Sequence, residues 1–158
     1  MFGGRLTQAI VHLVDRVAWK PDPKDDTAEH LRTGRRGEED AYFYLRRRGY
    51  TIIASNYRSP NHRGEIDLVG WDADVLCFIE VKTRTTRAVK PAEAAVDRQK
   101  QKDLQLVARD FLRQLPDSAR WRFDVIAVYY DRGFNQPSFE LFQNAFPVAY
   151  NRGFVRSY

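Results

Sequence analysis

One cysteine, Cys77, is all that the chain of 158 residues contains. An internal disulfide and a multi-cysteine zinc site are therefore excluded. Cys77 sits between Leu76 and Phe78 and reads as a small buried hydrophobe, so the chain suits a reducing compartment. Long apolar runs are lacking too, since no stretch approaches the ~18–20 residues of a membrane-spanning helix. Arg5, His12, Asp15 and Arg16 interrupt any apolar segment that a secretory signal would need. There is no internal repeat and no low-complexity tract. The expectation is a soluble, cytoplasmic protein with no membrane partner.

What is there points to a globular fold. Hydrophobic residues make up 43% of the chain and aromatic ones 13%, too many for a disordered polymer, and the length fits one domain with a real core. The formal charge is +5 and the pI about 9.5. Between Val81 and Lys102 lie seven cations (Lys82, Arg84, Arg87, Lys90, Arg98, Lys100 and Lys102) against Glu93 and Asp97 only. Such a sector attracts polyanions at a distance, although charge alone is equally consistent with a solvated face.

Leu6, Ile10, Leu13, Val14 and Val17 recur at helical spacing, which predicts an amphipathic helix over 5–18. The segment "KPDPKDDTAEH" then reads as a linker. From Thr33 a helix of about four turns is expected, with Glu38 in its first turn, an inward face of Glu38, Ala41, Tyr42 and Leu45, and Gly49 as its terminating glycine. Strands are expected over 51–58, 65–71 and 75–84, joined by short turns into an antiparallel meander. A second helix over about 92–114 carries Val96, Leu104, Val107, Ala108, Phe111, Leu112 and Leu115 on one stripe. Further strands follow over 122–130, nearly all apolar and so central, and over 138–146 at an edge. Residues 147–158 carry no clear signal. This order gives an α/β fold with a mixed β-sheet of about five strands flanked by helices. The crossover through the second helix makes strands 75–84 and 122–130 parallel. The organisation is then a helix and linker (1–31), a compact domain (32–146) and a tail (147–158).

Within "VLCFIEVKTR" an otherwise apolar strand carries Glu80 and Lys82 on one face. Alternation in "EIDLVGW" points Glu65, Asp67 and Val69 one way and Ile66 and Leu68 the other. Counting outward from the turn at 72–74 brings Asp67 opposite residue 79, give or take one, so Asp67 and Glu80 share a face side by side. Two ionised carboxylates there repel and would destabilise the sheet. A hard divalent cation offsets this, and Mg²⁺ commonly uses one or two protein carboxylates with phosphate and water. Lys82 would then stand beside the ion, able to hold an attacking water or neutralise developing charge. The plainer account is a salt bridge between Lys82 and either acid at a strand end, common and worth little. Glu38, aimed at the sheet, could complete a third carboxylate around the ion directly or through water; its plainer account is a favourable place near a helix N-terminus. Lys100 falls on the inward stripe of the second helix with Gln101 beside it, and needs either an acidic or phosphate partner or a path to solvent along the helix.

In this order "GRRGEEDAYFYLRRRGYTIIASNYR", "GEIDLVGWDADVLCFIEVKTR", "AVDRQKQKDLQLVARDFL" and "RFDVIAV" resemble the YraN-type family of bacterial proteins, over about residues 33–130. That family is similar to the PD-(D/E)xK nuclease superfamily, with a restriction-endonuclease-like fold, and to archaeal Holliday-junction resolvases. Ile66 stands where proline would precede Asp67, as in diverged members. The resemblance implies that Asp67 and Glu80 are metal ligands with the Val81 carbonyl a third, that Lys82 handles the nucleophilic water, and that Glu38 is the helix-borne acid. Lys100 and Gln101 match positions where such folds meet phosphate.

The expected function is a metal-dependent endonuclease, using Mg²⁺ or Mn²⁺ and acting on DNA, branched or otherwise structured, in repair or recombination. Arg35, Arg36, Arg84, Arg87, Lys100, Gln101 and Lys102 would contact the phosphate backbone. Junction cleavage would favour a two-fold homodimer. Two alternatives belong to other classes. One is a non-catalytic nucleic-acid-binding module on a nuclease scaffold; the other is an interaction protein whose first helix recruits a partner or a second subunit.

Overall fold

Ala41, Tyr42 and Leu45 form the buried stripe of helix α1 (Glu29–Arg47). The helix is closed by Gly49, at φ +95°, whose N–H donates to the Arg46 carbonyl at 3.1 Å while the Tyr50 N–H donates to that of Leu45 at 3.0 Å. These two bonds make the expected glycine cap, a Schellman motif. The start differs from expectation, because the helix begins at Glu29 and not near Thr33. Pro21 and Pro23 give the preceding segment a linker's composition, but nothing in "EHLR" breaks a helix. The computed structural model describes residues 29–84, 96–117, 119–130 and 136–147. The expected helix over 5–18 and the tail after residue 147 lie outside them, as do Arg87 and residues 92–95.

The sheet has five strands in the order β1 (Thr51–Arg58), β2 (Glu65–Asp72), β3 (Val75–Arg84), β4 (Arg120–Tyr129) and β5 (Ser138–Phe142). β1–β2, β2–β3 and β4–β5 pair antiparallel, and β3–β4 pair parallel. Helix α2 (Arg98–Leu112) lies between β3 and β4 in the chain, as the crossover argument requires. It starts later than about 92, at a cap in which the Asp97 carboxylate accepts the Lys100 N–H at 2.8 Å. β5 ends short of 146 because Asn144 turns the chain at φ +51°, and Phe146 stacks on Phe123 at 4.7 Å.

The two helices cover opposite faces of the sheet. On one, Ala41, Tyr42 and Leu45 of α1 pack with Leu68, Cys77, Ile79, Val81, Ile126 and Val128. On the other, Leu104, Val107 and Ala108 of α2 pack with Val69, Leu76, Phe78, Trp121, Phe123 and Val125. β3 is thus dried from both sides, and its first seven residues are all buried, which explains its nearly continuous apolar run.

Two polar locks set the frame. In the middle of β4, Asp124 is fully buried and Arg122 bonds both of its oxygens, at 2.8 and 3.1 Å. Arg122 Nη2 also reaches Asp72 at 2.7 Å and the Tyr50 hydroxyl at 3.0 Å, so β2, β4 and the turn between α1 and β1 are tied together. Beside the β1–β2 turn, Ser59 and Asn61 donate to Asp110 of α2, and Arg113 pairs with the other Asp110 oxygen at 2.9 Å. These bonds hold the Asp110 carboxyl below the usual carboxylate range, and they fix the start of β2 against α2.

Gly37 sets the height of α1 over β3. A Cβ at this position would lie 1.9 Å from Thr83 Oγ1 and 3.1 Å from Thr83 Cβ. Glycine costs an exposed helix interior about 1 kcal/mol against alanine, yet here Gly37→Ala is expected to destabilise by about 1–3 kcal/mol through overpacking. A lowered denaturant midpoint in Gly37→Ala, with most of that loss absent in the Thr83→Ala background, is the result expected of a double-mutant cycle.

Candidate functional site

The β2–β3 ladder runs from Asp72↔Val75 to Leu68↔Ile79 and stops there. β2 nevertheless stays paired with β1 as far as Glu65, and β3 with β4 as far as Arg84. The two middle strands therefore part beyond Leu68 and Ile79. Extending the register by one residue sets Asp67 across from Glu80, within the margin expected from the turn. In place of a ladder bond, the Asp67 carboxylate accepts the Val81 N–H at 2.7 Å.

Side-chain alternation breaks at the same place, contrary to the expectation from a regular strand. Ile66 and Val69 both enter the core beneath α2, whereas Leu68 enters the core beneath α1. Ile66 and Leu68 thus lie on opposite faces, not on one. The neighbouring strand shows the cause. Asn56 has φ +51° and stands between the pairs Ser55↔Leu68 and Tyr57↔Ile66, beside Asp67. A left-handed residue inside a strand shifts the phase of the pleat, and asparagine tolerates that conformation better than most. The Asn56 side chain also hydrogen-bonds Glu38. Sequence reasoning missed this residue; the available signal was an asparagine interrupting the β-rich run "TIIASNYR".

Glu80 and Asp67 are only 4% and 8% exposed. Burial pushes the Asp67 carboxyl well above its usual range; the Glu80 and Glu38 charges push the same way, while the Val81 N–H and Lys100 hold it down. Lys82 Nζ bonds Glu80 Oε1 at 2.8 Å, and Lys100 Nζ lies 3.4 Å from Glu80 Oε2. That second oxygen is buried and receives no hydrogen bond. Both of the expected lysines thus face one acid, so the inward Lys100 does have an acidic partner. Gln101 turns elsewhere, its amide donating to the Val96 carbonyl at 2.8 Å.

Glu38 differs from expectation in two respects. Because α1 starts at Glu29, Glu38 lies well inside the helix, and a position near the N-terminus does not explain it. Its carboxyl is raised by burial and by Glu65 and Glu80, with Asn56 and Arg35 opposing, so it belongs to the same electrostatic cluster. Yet among the described residues no three His, Cys, Asp or Glu side chains gather closely enough to hold one ion. The direct acid set is the pair Asp67 and Glu80.

Arg35 and Arg36 are exposed beside Gly37, Arg84 is half-buried at the end of β3, and Lys102 is exposed on α2. Arg36 lies over the Tyr130 ring at 4.8 Å and 3.8 Å from Asp40, to which the Tyr130 hydroxyl donates. No helix among the described residues is long and apolar enough to cross a membrane.

Comparison with known proteins matches this same region. The family described as "Uncharacterised protein family UPF0102" matches residues 37–128, from Gly37 through most of β4. The chain is 51% identical over 141 residues to a UPF0102 protein of Koribacter versatilis (strain Ellin345), covering 89% of this chain and 94% of that one. A UPF0102 protein of Solibacter usitatus is 47% identical over 96 residues, 60% of this chain and 73% of its own length. One from Pseudomonas aeruginosa is 40% identical over 118 residues, 72% of this chain and 90% of its own length.

The raised Asp67 carboxyl has a consequence for stability. The folded state keeps a proton that the unfolded state releases, so stability without metal falls as pH rises from about 4 towards the raised folded value. Asp67→Asn keeps an acceptor for the Val81 N–H and removes the charge. Melting in EDTA should show this variant more stable than the native protein at neutral pH by a few degrees. The gain should shrink as pH falls towards 4 and vanish below it, where the native carboxyl is protonated in both states.

Proposed function

The chain belongs to the UPF0102 family, and from that premise and the acid pair between the parting strands we propose a metal-dependent endonuclease that hydrolyses phosphodiester bonds in DNA, branched or structured DNA before linear duplex. One observation carries the reading. Glu80 is buried beside a second carboxylate, and its Oε2 accepts no hydrogen bond although the Lys100 ammonium lies 3.4 Å away. Buried polar groups are normally satisfied, and an exception calls for a missing partner. An ionised pair in such a place costs several kcal/mol per ion unless something compensates, by order of magnitude.

The donor set fits a hard divalent cation, because its groups are all oxygens and because Mg²⁺ makes do with one or two protein carboxylates. Asp67 and Glu80 would hold the ion. The Val81 carbonyl would join them, since the C=O of an extended residue faces the same side as its N–H, here towards Asp67. When bound, such an ion supplies charge stabilisation at phosphorus and a more acidic water. Lys82, anchored on Glu80 and open to solvent on its other side, orients the attacking water and neutralises charge as the phosphorus–oxygen bond breaks. Glu38 completes the site through water, and Arg35, Arg36, Arg84, Arg87, Lys100 and Lys102 serve the phosphate backbone without reading bases, whereas the Gln101 amide is held by the Val96 carbonyl.

A second reading is a non-catalytic nucleic-acid-binding module, since among the described residues no third acid joins the pair closely enough to hold one ion. It predicts salt-sensitive binding without turnover. Labelled linear, single-stranded, flap and four-way-junction DNA, incubated with Mg²⁺, Mn²⁺ or EDTA, separates the two. Metal-dependent cutting, reduced about a hundredfold or more in Asp67→Asn and Glu80→Gln, is the result expected. Cutting that persists in those variants would sink the assignment, and binding without cutting on every substrate would favour the binding module.

A further inference from the structure

Each oxygen of Glu80 faces a different ammonium, and the two contacts differ in kind. Lys82 sits two residues along the same strand and makes a hydrogen bond to Oε1. Lys100 comes from the first turn of α2 and lies 3.4 Å from Oε2 without bonding it. Its side chain is 31% exposed, so the ammonium has an open way to solvent. Lys100 therefore balances charge in the site without being locked into it.

Charge counting shows what this implies for a cation. Asp67 and Glu80 contribute two negative charges when ionised, and Lys82 and Lys100 contribute two positive ones. With both acids ionised, as they must be to hold a cation, these four groups sum to zero. A divalent ion entering it would leave a surplus of two positive charges in a dry place, where such imbalance is poorly screened. The surplus falls if one lysine withdraws, and it falls further if an anionic phosphate arrives.

We propose that Lys100 is a resident counter-ion, displaced from Glu80 by the divalent cation and then free to bind the substrate phosphate. The inference rests on the reading of Asp67 and Glu80 as metal ligands. Metal and phosphate binding are thereby coupled: each makes the site better balanced for the other, and the coupling is reciprocal. Lys100 is the lysine that moves because it lacks the hydrogen bond that holds Lys82. Its removal also leaves the acids more easily protonated, but a divalent ion feels the lost charge twice as strongly as a proton does. The net effect on metal binding is a gain.

The test is titration of the metal-free full-length chain with Mn²⁺ alone, followed by the spectrum of the free ion. Lys100→Gln should bind Mn²⁺ about tenfold more tightly than the native chain, and Lys100→Met should do the same. Arg98→Gln, which removes the same charge from an exposed position of the same helix, should change affinity by less than about twofold. In a second arm, Ca²⁺ should raise the affinity of the native chain for a labelled duplex, and this increase should be lost in Lys100→Gln. Unchanged or weaker Mn²⁺ binding in Lys100→Gln would overturn the inference while leaving the metal reading intact. Asp67→Asn binding Mn²⁺ as well as the native chain would overturn the metal reading itself, and the inference with it.

Discussion

Two carboxylates that water scarcely reaches lie side by side where β2 and β3 part, and the surrounding structure is arranged around the cost of keeping them there. Apolar layers on both faces of β3 remove the solvent that would otherwise screen them. The compensation comes from the Val81 N–H, Lys82 and Lys100, which belong to one strand, β3, and one helix, α2. Gly37 brings α1 down onto Thr83 and carries Glu38 into range. Asn56 breaks the pleat beside Asp67. None of these features is needed to build a five-stranded sheet.

The neighbouring strand, one residue away in register and on the sheet's other face, shows what the same chain does with a buried charge that holds the fold. Asp124 is as buried as Glu80, but Arg122 bonds both its oxygens and the Asn144 N–H adds a third contact at 2.9 Å. That network is complete, and complete buried networks rigidify a fold. At Glu80 one oxygen accepts no hydrogen bond. The contrast within one sheet makes a general tolerance of unsatisfied charge a poor explanation. It is the chemistry expected of a site that awaits a partner.

Much of this was legible in the residues, and the reason is local. The meander, its register and the meeting of Asp67 with Glu80 follow from short turns and a period of two. The Gly49 cap and the α2 stripe follow from a period near 3.6. The inward Lys100 could be placed on its stripe, and its need for an acidic partner stated, before the partner was known. What escaped depends on distances between elements that lie far apart in the chain. The left-handed turn of Asn56 goes with Ile66 and Leu68 lying on opposite faces, a separation that alternation cannot foresee. The four residues from Glu29 to Arg32 were hidden behind the composition of Pro21 and Pro23, which displaced Glu38 from its assumed first turn. The clash that reserves position 37 for glycine exists only once Thr83 is opposite it.

The most direct measurement is anomalous diffraction from crystals grown with Mn²⁺. The account predicts one anomalous peak between the Asp67 and Glu80 carboxylates, with Lys100 withdrawn from Glu80 and Lys82 still beside it. Crystals in millimolar Mn²⁺ that show no peak there, with both lysines still seated on Glu80, would contradict it and leave the acid pair as part of an ion-paired scaffold.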